Sequence, residues 1–289
     1  MRGDSNRRSP VLRLAAFIEH HRPALEADEV KHNLVLGLLA AHSARRLRRW
    51  SFTAPGACAI QRPGGHIALG ALAEADCRLL AEATRDLPFT GIVGADGTAQ
   101  WFVERAVALG LCFRGAVPQQ IQALQGRPIY PGAPGHARPV GREDAALFAD
   151  WMLAFQDEAL PQERKPSRRQ LEKLAGETLQ LFWVVNGNPV STAGVVRRTR
   201  NTAAIARVYT PPDLRGRGYA GSVTAALAEQ IFAEGRTAAC LYTDLRNPSS
   251  NRCYARIGFR PVCASWHFPR LLQPSERGSS GTPSVTAAQ

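Results

Sequence analysis

A basic, glycine-rich loop at residues 215–221 constrains this sequence of 289 residues more than any other feature. The loop reads Arg-Gly-Arg-Gly-Tyr-Ala-Gly and follows an apolar segment, 205–209, that is predicted to be a strand. Glycines let a backbone bend closely around a ligand, because no Cβ blocks the approach. The two arginines add positive charge, so the loop is predicted to hold an anionic group such as a pyrophosphate.

The residues after this loop predict a helix from Tyr219 to Glu234, since apolar side chains recur there at helical spacing. The first N–H groups of a helix have no partner inside the helix and carry partial positive charge. A glycine loop that leads into the start of a helix therefore strengthens the prediction of an anion site.

Three other interpretations of the loop compete with this one. The simplest is a basic turn between a strand and a helix that binds nothing. A P-loop is excluded, since no lysine follows Gly221. A dinucleotide-binding unit fits Gly-x-Gly-x-x-Gly at Gly216, with Asp244 about 20 residues beyond the last glycine. However, residues 210–215 separate the strand from the first glycine, and too little chain follows Asp244 to complete a doubly wound sheet.

Downstream of a second predicted strand, 241–243, the sequence places an asparagine, a tyrosine and a Gly-Phe pair at regular intervals. These residues are Asn247, Tyr254, Gly258 and Phe259. Together with the loop they resemble the GNAT superfamily of N-acetyltransferases, whose pattern is Arg/Gln-x-x-Gly-x-Gly/Ala, a helix, a strand and then these residues. The resemblance is specific over about 50 residues. It extends more weakly to a bacterial branch of the superfamily with a divergent N-terminal domain.

The resemblance implies an enzyme that transfers acetyl from acetyl-CoA to a primary amine of an acceptor, a small molecule or a peptide, without a metal. The amine would attack directly in a ternary complex. The strand end would offer backbone groups to the pantetheine arm and the acetyl carbonyl, the loop would hold the pyrophosphate, and asparagines would contact the cofactor. The implied cofactor-binding residues are Val208, Tyr209, Thr210, Arg215, Gly216, Arg217, Gly218, Tyr219, Ala220, Gly221, Asn247 and Asn251.

Tyr254 is the implied catalytic residue, placed near the sulfur to protonate the departing thiolate. A phenol has a pKa near 10, so it is protonated at neutral pH and can act as an acid. The alternative is that Tyr254 only packs its ring into the core.

No general base follows from the sequence. Some members of the superfamily carry a glutamate on the fourth or fifth strand, whereas the matching strands here carry Ala206, Val208 and Tyr242. The remaining candidates are Asp244, Glu158, Asp157 and His267. A base that acts through water is equally open.

Composition indicates a cytoplasmic globular protein, with 45% apolar residues and six scattered cysteines that lack a C-x-x-C spacing. No apolar run reaches the roughly 20 residues of a membrane span. The formal net charge of +12 reflects basic clusters at 45–49, 164–169 and 197–200. No nucleic-acid-binding motif accompanies these clusters, so a nucleic-acid partner is disfavoured. A non-catalytic CoA-binding sensor is the main alternative function, ahead of a dinucleotide-binding or nucleic-acid-associated protein.

The predicted fold class is α/β, of the α+β mixed-sheet kind. Residues 1–135 are interpreted as a smaller, degenerate GNAT-like α/β domain, and 136–270 as the catalytic GNAT acyl-CoA N-acyltransferase domain. Pro131 to Gly135 is the predicted linker, and 271–289 is the predicted disordered tail. The N-terminal domain has no Arg-x-x-Gly-x-Gly/Ala loop, so no second acetyl-CoA site is expected. Neither the acceptor nor the oligomeric state has a readable motif.

Overall fold

The computed structural model describes residues 10–41, 46–159, 161 and 165–271. The predicted disordered tail therefore lies, apart from residue 271, outside the described residues. The helices in the described part are α1 (Pro10–Glu26), α2 (Asn33–Ala40), α3 (Glu74–Thr84), α4 (Thr98–Ala108), α5 (Ala145–Ala159), α6 (Arg168–Leu174), α7 (Tyr219–Ala233) and α8 (Pro248–Ile257). Its strands are β1 (Arg48–Ser51), β2 (Cys58–Gln61), β3 (Ile67–Leu69), β4 (Gly91–Ala95), β5 (Val117–Leu124), β6 (His136–Pro139), β7 (Gln180–Val185), β8 (Asn188–Arg198), β9 (Thr202–Tyr209), β10 (Ala238–Asp244) and β11 (Arg260–Pro269).

The chain forms two compact units, and their boundaries differ from the predicted division at residue 135. Unit 1 contains the described residues of 1–25, 41–117 and 265–289, and unit 2 contains Glu26–Ala40 and Pro118–Ala264. Helix α2 and most of strand β5 thus belong to the unit that carries the glycine loop, although both precede residue 135.

Each unit has strands of mixed direction, which confirms the predicted α/β fold class. In unit 1, β1, β2 and β3 pair antiparallel, β4 runs parallel to β3, and the end of β11 pairs antiparallel with β4. In unit 2 the strand order is β5-β10-β9-β8-β7-β6, and only the β10–β9 pair is parallel.

The same order of elements occurs twice along the chain. Three antiparallel strands, a crossover helix, a parallel strand, a second helix and a last strand run from β1 to β5, and again from β7 to β11. The last strand of the first copy pairs with β10, and the end of the last strand of the second copy pairs with β4. This repeat favours the interpretation of the N-terminal part as a degenerate copy of one fold.

Helix α2 and the turn before it are attached through buried polar groups to β9 and to the turn between β8 and β9, in unit 2. The Glu29 carboxylate accepts hydrogen bonds from the Asn201 backbone N–H at 2.9 Å and from the Thr199 hydroxyl at 2.7 Å. The Asn33 amide donates to the Thr202 hydroxyl at 3.0 Å. Because each buried group has a partner, the attachment carries no desolvation penalty from unpaired atoms.

The sheet of unit 2 is covered by apolar side chains on both faces. Helices α7 and α8 pack on one face through residues such as Val223, Leu227 and Ile257. Helices α5 and α6 cover the other face through Phe148 and Leu171, among others. The predicted helix over 219–234 is confirmed, since α7 begins at Tyr219 and ends at Ala233.

Among the helices of the described part, none combines the length and the apolar character needed to cross a membrane.

Asp144 ties strand β6 to the turn that precedes α5. Its carboxylate accepts two hydrogen bonds from the Arg138 guanidinium, at 2.6 and 2.8 Å, and one from the Gly141 N–H at 2.9 Å. The Arg138 bonds are the main reason that the pKa of Asp144 lies below its ordinary value, and the Gly141 bond adds to the effect.

We expect Asp144→Asn to lower the free energy of unfolding by about 1–3 kcal/mol at neutral pH, because it removes a nearly buried charged acceptor. A depressed carboxyl pKa stabilises the fold above the ordinary pKa of about 4, and this stabilisation is lost as pH falls through the lower folded-state value. The difference between variant and wild type should therefore shrink on acidification, measured by urea unfolding.

Asp150→Asn is the matched control, since Asp150 pairs with Arg168 at the surface. Surface pairs contribute little, so this variant should stay within about 0.5 kcal/mol of wild type at every pH. An equal loss in both variants would contradict the assigned role of Asp144.

Candidate functional site

Strands β9 and β10 stop pairing halfway along their length. Their parallel ladder joins Thr202 to Ala238 and ends where Ala204 faces Cys240. Strand β9 nevertheless continues to Tyr209, held by β8, and β10 continues to Asp244, held by β5. Beyond Ala204 and Cys240 the two strands therefore no longer pair with each other. Backbone N–H and C=O groups on such unpaired edges are available to a ligand.

A β-bulge lies in the diverging part of β9. Thr192 faces Tyr209 and Gly194 faces Ala206, so one residue of β8 stands opposite both Arg207 and Val208. Arg207 has a left-handed backbone with φ of +56°, which is uncommon for a residue with a side chain. Bulges bend a strand and redirect its side chains, and they are frequent beside functional sites.

The three strand residues predicted to contact the cofactor lie at the end of this bulge. Val208 packs against the apolar cluster under α7, whereas Tyr209 lies in the cluster under α5. The Thr210 hydroxyl is 2.8 Å from the Ser191 hydroxyl, and Ser191 donates to the Tyr209 carbonyl at 3.0 Å. Ser191 thus fixes the strand end, a role that no sequence pattern had indicated.

The predicted phosphate loop opens directly onto the start of α7. Gly216 and Gly218 both have left-handed backbones, with φ of +78° and +82°. The first helical bond runs from the Ser222 N–H to the Gly218 carbonyl at 3.0 Å, so the N–H groups of 219–221 precede the helical ladder. Gly216, Arg217 and Gly218 are exposed, so a backbone anion site fits this loop.

Arg215 is engaged elsewhere. Its guanidinium donates to the Thr210 carbonyl at 2.9 Å and to both carboxylate oxygens of Glu158 at 2.9 and 2.7 Å. It also lies 5.9 Å from the centre of the Tyr209 ring. Arg215 therefore joins the loop to α5 and the strand end. Among the described residues, the Arg217 side chain makes one hydrogen bond, a long one of 3.3 Å to the Asp213 carbonyl.

Gly221 serves packing as well as conformation. A Cβ built on this residue would lie 2.6 Å from Cγ of Pro131, so the predicted linker segment packs against the first turn of α7. Two further bonds hold the same segment in unit 2. The Tyr130 hydroxyl donates to Glu229 at 2.7 Å, and the Trp183 indole donates to the Pro134 carbonyl at 2.8 Å.

The two predicted asparagines build the turn between β10 and α8. The Asn247 side chain caps α8 by accepting from the Ser250 N–H at 3.0 Å. The Asn251 amide donates to the Asp244 carbonyl at 3.1 Å, and its own oxygen is buried without a partner among the described residues. Both residues therefore hold the end of β10. The Asn247 NH2 group donates to no other described residue, so it can donate to a ligand.

Tyr254 is buried in the apolar cluster that α7 and α8 share. Its ring meets Phe259 edge-on at 5.9 Å between centroids, with Val223 and Leu241 in the same cluster. Burial raises the pKa of Tyr254 well above its ordinary value, and the neighbouring Cys253 thiol adds to the rise, while a bond with the Ser250 side chain opposes it. The phenol is therefore protonated at neutral pH, as a proton donor must be.

Three of the four candidate bases carry an ion-pair partner. Glu158 pairs with Arg215, Asp157 with Lys165, and Asp244 with Arg246. Hydrogen bonds from Arg246 hold the pKa of Asp244 below its ordinary value. The fourth candidate, His267, belongs to unit 1, where its ring lies 4.6 Å from that of His66.

Two surface cavities, of about 610 and 500 Å³, lie in unit 2. The first is lined by the segment from Lys165 to Leu174, and the second by residues of α7, β6 and β7. Neither is lined by a residue predicted to bind the cofactor, so the strand divergence and loop geometry define the candidate site. Among the described side chains, no three of histidine, cysteine, aspartate and glutamate gather as a metal would require.

The fold is that of the GNAT acetyltransferases. A GCN5-related N-acetyltransferase from Kribbella flavida is similar at 19% identity, with 85% of this chain and 95% of that one covered and a TM-score of 0.58. A GNAT acetyltransferase from Colwellia psychrerythraea is similar at 12% identity, over 86% and 97%, with a TM-score of 0.52. A GCN5-related N-acetyltransferase-like protein from Streptococcus suis is similar at 14% identity, over 89% and 100%, with a TM-score of 0.52. The likeness extends beyond unit 2, which is too short to supply such coverage.

The family comparison agrees with the fold. Residues 184–267 match the FR47-like protein family, which is related to GNAT, and this range includes every residue predicted for the cofactor as well as Tyr254. No curated protein sequence matches the chain. The family match covers 184–267, which is under a third of the chain, and the solved structures show the fold alone.

We expect Gly221→Ala to lower the unfolding temperature. Alanine in a helix is favoured over glycine by up to about 1 kcal/mol, but the clash with Pro131 should cost about 1–3 kcal/mol. Gly115→Ala is the control, because a Cβ there meets nothing within 4 Å. Higher stability of Gly221→Ala would show that Pro131 does not pack against α7.

Proposed function

We propose that this protein is an N-acetyltransferase that transfers acetyl from acetyl-CoA to a primary amine of a small-molecule or peptide acceptor. The observation that carries the proposal is the parting of β9 from β10 immediately before a glycine loop and the start of α7. A thioester laid between the diverging strands would find unpaired backbone groups at its carbonyl and a helix start at its phosphates. The GNAT fold and the family match over 184–267 support the same activity.

The residues have separate roles in this proposal. The backbone of Val208 to Thr210 polarises the thioester carbonyl, and the N–H groups of 216–221 with the Arg217 side chain hold the pyrophosphate. Asn247 contacts the pantetheine arm through its free NH2 group. The acceptor amine attacks the carbonyl carbon directly, the carbon–sulfur bond breaks, and Tyr254 donates its proton to the sulfur. The attacking nitrogen loses one proton to water, and a proton from solvent restores the Tyr254 phenol, so the products are an amide and the free thiol of CoA.

One observation favours a second candidate, a CoA-binding protein without turnover. Glu158, Asp157 and Asp244 are each paired with a basic side chain, so none of them is an uncommitted base. Acceptor-dependent release of CoA would exclude this candidate, whereas acetyl-CoA binding with no release across a panel of amines would support it.

The first test is a calorimetric titration of acetyl-CoA into wild type and Arg217→Glu. We expect wild type to bind and the variant to bind about tenfold or more weakly, since it replaces a phosphate partner with a like charge. Arg62→Glu, an exposed site of unit 1, controls for the change in net charge and should bind as wild type does. Absence of binding by well-folded wild type would overturn the proposal.

The variant Tyr254→Phe tests whether Tyr254 is the general acid that protonates the CoA sulfur. We expect unchanged acetyl-CoA affinity and a turnover number lower by about 10²-fold or more, because general acid catalysis contributes that much. Tyr130→Phe removes a phenol hydroxyl elsewhere in unit 2 and should leave turnover unchanged. A thiol-release assay measures both variants, and normal turnover by Tyr254→Phe would remove this residue from the mechanism.

A further inference from the structure

Arg207 stands at the most unusual backbone position of the candidate site. Its φ of +56° belongs to the left-handed region, where glycine or asparagine is the ordinary choice. It is one of the two residues of the bulge and immediately precedes Val208. It also lies beyond Ala204, the last residue of β9 that pairs with β10. An arginine kept at a strained position beside diverging strands points to a use for its side chain.

The Arg207 side chain is partly buried and has no counter-ion among the residues that the structure describes. Its Nη1 atom is inaccessible to solvent and has no hydrogen-bond partner among the described residues. Burial lowers the pKa of the guanidinium. A buried guanidinium stays charged in proteins, so an unpaired one destabilises the free protein unless an anion arrives.

A second buried polar group without a partner among the described residues lies two strands away, in the row that ends at Ala206, the residue before Arg207. Gln180 on β7 faces Gly194 on β8, and Gly194 faces Ala206 on β9. Gln180 is 1% exposed, and neither its amide oxygen nor its amide nitrogen has a partner among the described residues. A Cβ on Gly194 would overlap the Gln180 amide, so this side chain extends over β8 in the direction of β9.

We infer that Arg207, assisted by the Gln180 amide, binds a carboxylate carried by one of the substrates. A guanidinium presents a planar pair of N–H donors that matches the two oxygens of a carboxylate, and a carboxamide NH2 adds a further donor. The inference rests on the proposed acyl transfer and narrows its substrate class.

The carboxylate has two possible sources, and the experiment separates them. An acceptor such as an amino acid carries one beside its amine, and a dicarboxylic acyl thioester carries one at the far end of its acyl group. The probes are a panel of L-amino acids, each compared with its carboxamide using acetyl-CoA, and succinyl-CoA compared with acetyl-CoA. Both arms use calorimetric binding and thiol release on the full chain.

The variants are Arg207→Met, Arg207→Lys and the control Arg198→Met, whose wild-type residue pairs with Glu234. We expect Arg207→Met to bind the carboxylate-bearing probe of one arm about thirtyfold or more weakly than wild type and the matched neutral probe equally well. The affinity of Arg207→Lys for the same carboxylate probe should lie between the affinities of wild type and Arg207→Met, since lysine keeps the charge but lacks the planar pair of N–H donors. Arg198→Met should match wild type in every titration.

Thermal unfolding separates this role from a structural one. Removal of an unpaired buried charge should leave ligand-free Arg207→Met with an unfolding temperature above that of wild type. If Arg207 has only a structural role, Arg207→Met should unfold at a lower temperature than wild type. It should then also weaken the binding of carboxylate and neutral probes to the same extent. Equal affinity of wild type and Arg207→Met for every carboxylate probe would overturn the inference, while normal acetyl-CoA binding by both would leave the proposed function intact.

Discussion

The parting of β9 from β10 is the constraint on which the candidate site depends. Parallel strands normally keep pairing, because each broken rung leaves two backbone groups without partners. Here each strand is held from its outer side instead, β9 by β8 and β10 by β5. The bulge at Arg207 and Val208 bends β9 while its ladder with β8 resumes at Tyr209. The opening is therefore supported by the sheet itself and does not depend on a loop.

Strand β10 is supported by β5, which precedes residue 135 in the chain but belongs to unit 2 except for its first residue. Strand β5 ends the first copy of the repeated order, yet it pairs with β10 from Ala239 to Asp244. The Gln122 amide donates to the Thr243 hydroxyl at 3.1 Å and reinforces this pairing. Unit 2 is consequently built from both copies of the repeat, so a cut at residue 135 would remove β5 from the sheet that carries the site.

Local patterns predicted local structure well. The helical spacing predicted α7, and the loop whose glycines predicted a close bend of the backbone has left-handed residues at Gly216 and Gly218. Long-range partners had no such signal. The motif did not indicate that Arg215 pairs with Glu158, 57 positions earlier in the chain, or that Pro131 packs on Gly221. The position of Arg207 in a bulge could not be predicted for a related reason, since a bulge depends on the register between two strands and has no pattern in the sequence of one strand.

The two copies of the repeat differ in a few side chains at the start of the crossover helix. Helix α3 occupies the crossover position in unit 1 that α7 occupies in unit 2. Its first turn carries Glu74 and Asp76, which suit the partial positive charge of a helix start and repel an anionic ligand. The first turn of α7 has no acidic residue and follows an exposed arginine, Arg217. The two copies thus share one order of elements and differ in the side chains at this helix start. Acidic residues neutralise it in α3, whereas the start of α7 stays available to a phosphate, so a few side chains on a common fold make the difference.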